Sequence, residues 1–430
     1  MNTAKLKRIV YHVRLALIRA AFRLMGKRQM IRLLVQDAKR RTKLNVSGPI
    51  ILSIDRTHFS KDLDQMQKRL PIRLIRVNFG FVEFFEKTFT AAALQRQTHF
   101  QPTINDPTFK EDWDRMESFS ADLLDAVEKS FKLKVDQILV CNIDYWQTEG
   151  MRIVARKRGI PFNALVRENF ILPDQQISIR EFYLKADFKF EGDKIGVFSD
   201  LTKKLYTECR IAPAEQITIT GAPRFDYWRD VKMLPAEQKR MISLFTFAHP
   251  DYLAPKTFDI VLKIFRDVSD LHPDMKFFVK AKDRGDYFDI LQRLGNNKGN
   301  LVVGYKANTA DVIRDSRLVI GFNSLTMLES LIADVPTGIP HFNDSKGSDP
   351  FLIYTPNNPK HDRAIHFYHS EEDLRNHLRE SASRVIESRN DNDARLACIN
   401  SMVYFPENRT NSEVVGEFLG LKFGMEKRDF

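Results

Sequence analysis

The chain has 430 residues, 43% of them hydrophobic, which is enough for two domains that each bury a core. Its three cysteines, Cys141, Cys209 and Cys398, lie far apart and none belongs to a CxxC pair, so neither a disulfide framework nor a zinc ribbon is indicated and a reducing compartment fits. The net charge of +11 is local: residues 1–45 carry thirteen Lys and Arg against one acid, Asp37, and the other 385 residues sum to −1, so no nucleic-acid partner is expected.

Within that first segment Lys5, Arg8, His12, Arg19, Arg23 and Lys27 recur at helical spacing, with Val10, Val13, Leu17, Phe22 and Leu24 around the remainder. The pattern predicts a basic amphipathic helical segment over 1–45 that lies on an anionic membrane surface; an ordinary helix packed on the protein's own body is the plainer alternative. Charges interrupt every candidate signal-peptide core, and no run of about 18 uncharged apolar residues exists to span a bilayer.

Beyond residue 47 the chain alternates apolar runs with helical periodicity. GPIILSI (48–54), RLIRVNF (73–79), QILVCNI (137–143) and PFNALV (161–166) predict strands, with helices over 110–131 and 148–159. The apolar signal stops at WRDVKMLPAEQKR (228–240), then restarts with ISLFTF (242–247), MKFFVK (275–280), NLVVGY (300–305) and RLVIGF (317–322). Strand alternating with helix implies parallel sheets covered on both faces. Two α/β domains are expected, 46–232 and 233–405, joined near residue 235 and followed by a C-terminal helix and tail over 406–430.

In such sheets ligands gather outside the carboxyl ends of the strands. In the second half those ends offer His249, Lys280, Lys282, Tyr305 and the pair Asn323-Ser324. The stretch LVIGFNSLTMLESLIADVPTGIP (318–340) leaves an apolar run at Gly321, exposes that polar pair and at once begins a helix, whose N-terminal N–H groups suit a phosphate. The competing reading is that Asn323 or Ser324 only caps the helix. In the first half the strand ends carry Asp55, Asp144 and Glu168. The DxD sequences at Asp62-Asp64 and Asp391-Asp393 sit on polar helical stretches and read as solvated faces, so no metal site is expected. No GxGxxG, Walker loop, HExxH or GxSxG occurs, which removes the usual dehydrogenase, ATPase, zincin and hydrolase signatures.

The succession ADFKFEGDKIGVFSDLTKKLYTEC, QITITGAPRFDYW, VKAKDRGDY and ANTADVIRDSRLVIGFNSLTMLESLIADVPTGIP, spanning roughly 137–345, resembles nucleotide-sugar-dependent glycosyltransferases of bacterial capsule and lipopolysaccharide assembly. The likeness is to Kdo and sialic acid transferases and the related glycerophosphotransferases. It implies the GT-B fold, two Rossmann-like domains facing across a cleft, with Gly221, Pro223, Arg224 and Asp226 closing the first domain. It implies donor contacts from Asn323, Ser324 and Glu329, the last toward ribose hydroxyls, and an acidic general base near Glu168, with Asp144 and Asp55 as competitors. The implied activity moves a sugar from a CMP-, UDP- or GDP-linked donor to a lipid-linked or oligosaccharide acceptor, with no separate cofactor. The implied place is cytoplasmic, on the inner face of a bacterial cytoplasmic membrane. A CDP-glycerol-type glycerophosphotransferase and a sugar-nucleotide epimerase are the alternatives. Lys282-Asp283 stands where the CMP-sugar enzymes usually carry His-Pro, and the chain's His249-Pro250 falls one strand earlier, so the nucleotide stays open.

Overall fold

The computed structural model describes residues 26–42, 47–56, 59–88, 90–95, 107–166, 175–246, 254–295, 299–322, 324–346, 354–385 and 392–421; residues 1–25, Glu168, His249 and Asn323 lie outside them. Two compact units emerge, one drawn from Met1–Asn169, Arg180–Arg224 and Pro406–Phe430, the other from Phe170–Ile179 and Phe225–Phe405. Each is a Rossmann-like α/β domain, as the alternation of strands and helices predicts.

The first sheet holds β1 (Ile50–Asp55), β2 (Arg73–Asn78), β3 (Gln137–Val140), β4 (Phe162–Leu165), β5 (Lys194–Val197) and β6 (Ile217–Ile219) in the order β2-β1-β3-β4-β5-β6. Every neighbouring pair is parallel. All six residues of β1 are buried, the mark of a strand covered on both faces. The helix Lys110–Phe131 buries Trp113, Met116, Phe119, Leu123, Leu124 and Val127, one stripe at helical spacing. It lies so close to the helix Glu149–Arg158 that a Cβ at Gly150 would stand 2.5 Å from the Met116 carbonyl oxygen. Only glycine fits there.

The second sheet holds β7 (Met241–Phe245), β8 (Lys276–Lys280), β9 (Leu301–Gly304), β10 (Ser316–Gly321), β11 (Thr337–Pro340) and β12 (His366–Tyr368) in the order β12-β11-β10-β7-β8-β9, again all parallel. Ile242, Leu244, Phe277, Val279, Val303, Leu318 and Ile320 pack with Phe258, Val261, Leu262 and Phe265 of the helix Pro255–Leu271. β5, β6, β11 and β12 are not among the predicted strands. All four are runs of three or four residues, and TGIP also carries the glycine and proline that normally argue against a strand. QILVCNI pairs only as far as Val140.

Two terminal segments belong to the first domain. The helix over 26–41 buries Met30, Ile31, Leu34, Val35 and Ala38, and its Lys27 reaches Asp122 at 2.5 Å. The apolar stripe of this part of the basic segment is therefore packed on the body of the domain. At the other end the helix Asn411–Phe418 opens with a capping box between Thr410 and Glu413. Asn411 donates to the Thr220 carbonyl (3.0 Å), and Gln137 donates to that of Leu419 (2.8 Å). Among the described residues no helix is long and apolar enough to cross a membrane.

Glu86, at the end of the helix Phe79–Glu86, is fully buried, and among the described residues neither carboxyl oxygen has a hydrogen-bond partner. Burial, with the charge of Glu83 adding to it, pushes its pKa well above the ordinary glutamate range. The folded chain thus keeps a proton that the unfolded chain releases, so Glu86 subtracts stability as pH rises through the ordinary glutamate range. Glu86→Gln should melt at a higher temperature than the wild type at about pH 8, with the gap closing in acid below that range. Equal melting temperatures at the higher pH would contradict a neutral Glu86.

Candidate active site

In the second sheet the strand order reverses between β7 and β10, so the crevice for a ligand lies at their carboxyl ends. β10 is buried along its length and ends at Gly321, where an added Cβ would meet the Met327 side chain at 2.6 Å. Phe322 then packs edge-on to Phe258, with ring centroids 5.9 Å apart. Ser324 is extended (φ −150°, ψ 149°) and caps the helix Leu325–Ile332, its Oγ accepting from the Thr326 N–H at 3.2 Å. Ser324 and Glu329 are both partly exposed. The hydroxyl does serve as a cap, and it donates its own proton to the Thr326 hydroxyl at 3.3 Å.

The helix Pro255–Leu271, which follows β7 on the other side of the switch, has a different N-terminus. Asp344 fills it, accepting from the N–H groups of Lys256 (3.0 Å) and Thr257 (2.9 Å) and from the Thr257 hydroxyl (2.7 Å). Burial works against ionisation of Asp344, but these bonds outweigh it and hold its carboxyl below the ordinary range. Sequence reasoning missed Asp344, which lies 88 residues from the N–H it caps. Of the two helix ends at this switch point, only that of Leu325–Ile332 lacks an acidic cap among the described residues.

Lys280, Lys282 and Tyr305 stand further along the same edge. β8 is two strands and β9 three strands from β10, about 10 and 14 Å at the usual strand spacing. Lys280 donates to the carbonyls of Ala281 (3.1 Å) and Tyr305 (2.9 Å), stitching β8 to β9. Burial lowers its pKa while the Asp286 charge opposes the shift. Asp286 in turn accepts from the Thr246 hydroxyl (2.5 Å) and the Lys282 N–H (2.8 Å). Lys280, expected as an anion ligand, therefore holds strand ends together. The Lys282 side chain is exposed, and the Tyr305 ring packs on Tyr287 with centroids 5.3 Å apart. The structure brings Ser324 and Glu329 onto one helix and leaves the lysines apart from them.

In the first sheet the order reverses between β1 and β3. Asp55 closes β1 with its side chain fully buried. Its Oδ2 accepts from Arg41 (2.6 Å) and twice from Arg76 (2.8 and 3.0 Å), and Ser60 donates to Oδ1 (3.2 Å). That is a structural charge network rather than an open base. Asp144, just beyond β3, is 1% exposed and accepts from the Tyr183 hydroxyl at 2.8 Å. Burial, reinforced by Tyr206 and Asp144, raises the Tyr183 pKa well above its ordinary value, so the phenol remains a donor. Glu168 lies outside the described residues. Asp62 corrects the reading of its DxD sequence as a solvated face: it is buried and paired with Arg224 at 2.6 Å. This ties TGAPRFD to the helix Ser60–Arg69.

No family model matches the sequence, and no curated protein matches it. Among solved structures, the chain is similar to the S. aureus MnaA–UDP co-structure, at 12% identity over 87% of this chain and 98% of that one, with a TM-score of 0.48. It is similar to UDP-GlcNAc 2-epimerase from Neisseria meningitidis bound to UDP-GlcNAc, at 12% identity over 86% and 98%, TM-score 0.47. It is also similar to Os79 from O. sativa in complex with UDP, at 11% identity over 86% and 99%, TM-score 0.48. At such identities the activity has to be argued from this chain's own side chains.

Asp55→Asn would leave Arg41 and Arg76 without their shared counter-charge, and should cost about 3–5 kcal/mol in a denaturant melt. A variant that lost turnover while keeping full stability would instead return Asp55 to the list of catalytic groups.

Proposed function

We propose that the chain is a nucleotide-sugar-dependent glycosyltransferase of the GT-B type, with the donor on the second domain and the acceptor on the first. The observation that carries this reading is the helix end at Ser324. It starts at the topological switch of a parallel sheet and, among the described residues, is capped by a hydroxyl alone, whereas its counterpart across the switch is filled by Asp344. A diphosphate or monophosphate suits such an end, through N–H donors and the positive pole of the helix dipole. Glu329, partly exposed on the same helix, supplies a carboxylate for ribose hydroxyls, and exposed Lys282 supplies charge at the rim. His249 and Asn323 complete the donor set.

On the acceptor side Asp55 and Asp144 are already engaged by arginines and a tyrosine, which favours Glu168, three residues beyond β4, as general base. The base takes the acceptor hydroxyl proton as that oxygen attacks the anomeric carbon. The acceptor is a lipid-linked or oligosaccharide chain of bacterial capsule or lipopolysaccharide assembly. Residues 1–25, with six Lys and Arg and no acid, hold the enzyme to the anionic inner face of the membrane, each basic residue contributing on the order of 1 kcal/mol.

The test is a calorimetric panel of CMP, UDP, GDP, CDP and dTDP on the full chain, followed by turnover with the sugar-linked form of the tightest binder. Ser324→Ala and Lys282→Ala should each weaken the nucleotide by about 1–3 kcal/mol. Glu168→Gln should bind it normally and lose about 10²–10⁴ in turnover. Failure to bind any of the five, or unchanged affinity in both donor-site variants, would overturn the proposal. Isomerisation of the free donor without an acceptor would mark an epimerase, and consumption of CDP-glycerol a glycerophosphotransferase. Deleting residues 1–25 should abolish sedimentation with anionic vesicles and leave nucleotide affinity intact; undiminished sedimentation would remove the membrane role.

A further inference from the structure

The residue after β1, Arg56, occupies the switch point of the first sheet and belongs to none of the groups considered so far. β1 lies between β2 and β3, and each neighbour sends an aromatic ring to Arg56 from its own carboxyl end. The guanidinium carbon stands 5.2 Å from the Phe79 ring centroid and 4.9 Å from that of Tyr145. The two rings are 5.5 Å apart, and both residues are buried, so the clamp is fixed. Arg56 also donates to the Tyr145 hydroxyl. It is itself only partly buried.

The contrast with other arginines of this domain shows what the arrangement is for. Arg41 and Arg76 share Asp55, Arg76 also meets Asp64, Arg224 meets Asp62, and Arg152 meets Glu149 and Glu191. Arg56 meets no carboxylate among the described residues. Around the end of β1, Arg41 and Arg76 are thus taken up by Asp37, Asp55 and Asp64, while Arg56 is held by aromatic rings. Of these three, Arg56 is the guanidinium set against two rings and a phenol hydroxyl in place of a carboxylate. A guanidinium carries five N–H donors in a planar fork matched to phosphate and carboxylate oxygens, and one hydrogen bond to Tyr145 leaves others for a ligand.

We propose that Arg56 is the anchor of an anion subsite in the first domain, taking a phosphate or carboxylate group of the acceptor. This rests on the reading of that domain as the acceptor domain. Cation–π contact with Phe79 and Tyr145, with the bond to the Tyr145 hydroxyl, holds the fork in place before the ligand arrives, and the neighbouring Asp55 does not compete because Arg41 and Arg76 already engage it.

The experiment titrates the full chain with inorganic phosphate, acetate and uncharged methyl glucoside by calorimetry, in the wild type, Arg56→Gln, Arg56→Lys, Tyr145→Phe and Ser324→Ala. Arg56→Gln should lose about ten- to a hundred-fold in anion affinity, the range for a hydrogen-bonded charge. Arg56→Lys should retain part of it as a point charge without the fork. Tyr145→Phe keeps the ring and should lose little. Ser324→Ala should leave the Arg56-dependent binding unchanged, which separates this subsite from phosphate held by the donor helix. Preference for phosphate over acetate assigns a phosphorylated acceptor, and the reverse preference an acidic sugar. Should Arg56→Gln fail to fold, the lysine variant decides in its place: anion affinity equal to the wild type would count against the fork. Wild-type anion affinity in Arg56→Gln, absence of anion binding in the wild type, or equal affinity for methyl glucoside would overturn the proposal. The nucleotide panel on the same proteins tests the enzyme reading separately, so either can fail alone.

Discussion

Both sheets are parallel throughout, and that constraint decides where chemistry can sit. A parallel strand needs a crossover to return, so every strand delivers its last residue to the same edge and the helix that follows starts there with its N–H groups unpaired. Where the strand order reverses, two such helices diverge and leave a crevice. In the second domain the reversal falls between β7 and β10, and in the first between β1 and β3. Ser324 and Arg56 are each within three residues of those strand ends.

Charge accounting at the two edges then separates structure from function. Carboxylates and cations that look reactive in isolation are mostly engaged by the fold: Asp55 by two arginines, Asp62 by Arg224, Lys280 by two carbonyls, Asp344 by a helix end. Each is buried or partly buried, and each would be costly to leave without a partner. The groups left over are the ones with a hydroxyl cap or an aromatic clamp in place of a counter-charge. A polar side chain at a strand end becomes a binding candidate when the fold does not already consume it.

Much of this was legible in the residues. The long apolar runs around β1, β2, β7, β8 and β10 announce themselves because strands covered on both faces carry no alternation to hide them. The short strands β5, β6 and β12 give too few residues for any period to show, and β11 is written in Gly and Pro. The strand-end rule pointed to Ser324, which caps the helix that carries Glu329, but it could not separate Ser324 from Lys280, whose bonding depends on a carbonyl 25 residues away. Asp344 and the clamp on Arg56 were invisible for the same reason. Each is made by residues that no sequence window holds together. Arg56 follows a strand just as Asp144 and Glu168 do, and only the rings of Phe79 and Tyr145 mark it out.

The central claim is that the donor nucleotide binds at the β7–β10 switch of the second domain. Hydrogen-exchange mass spectrometry of the full chain, with and without the tightest-binding nucleotide, reads this directly at peptide level. Protection should appear in peptides covering 241–246 and 316–332. Protection confined to the edge of the first sheet, around 50–56 and 137–146, with the second domain unchanged, would contradict the account.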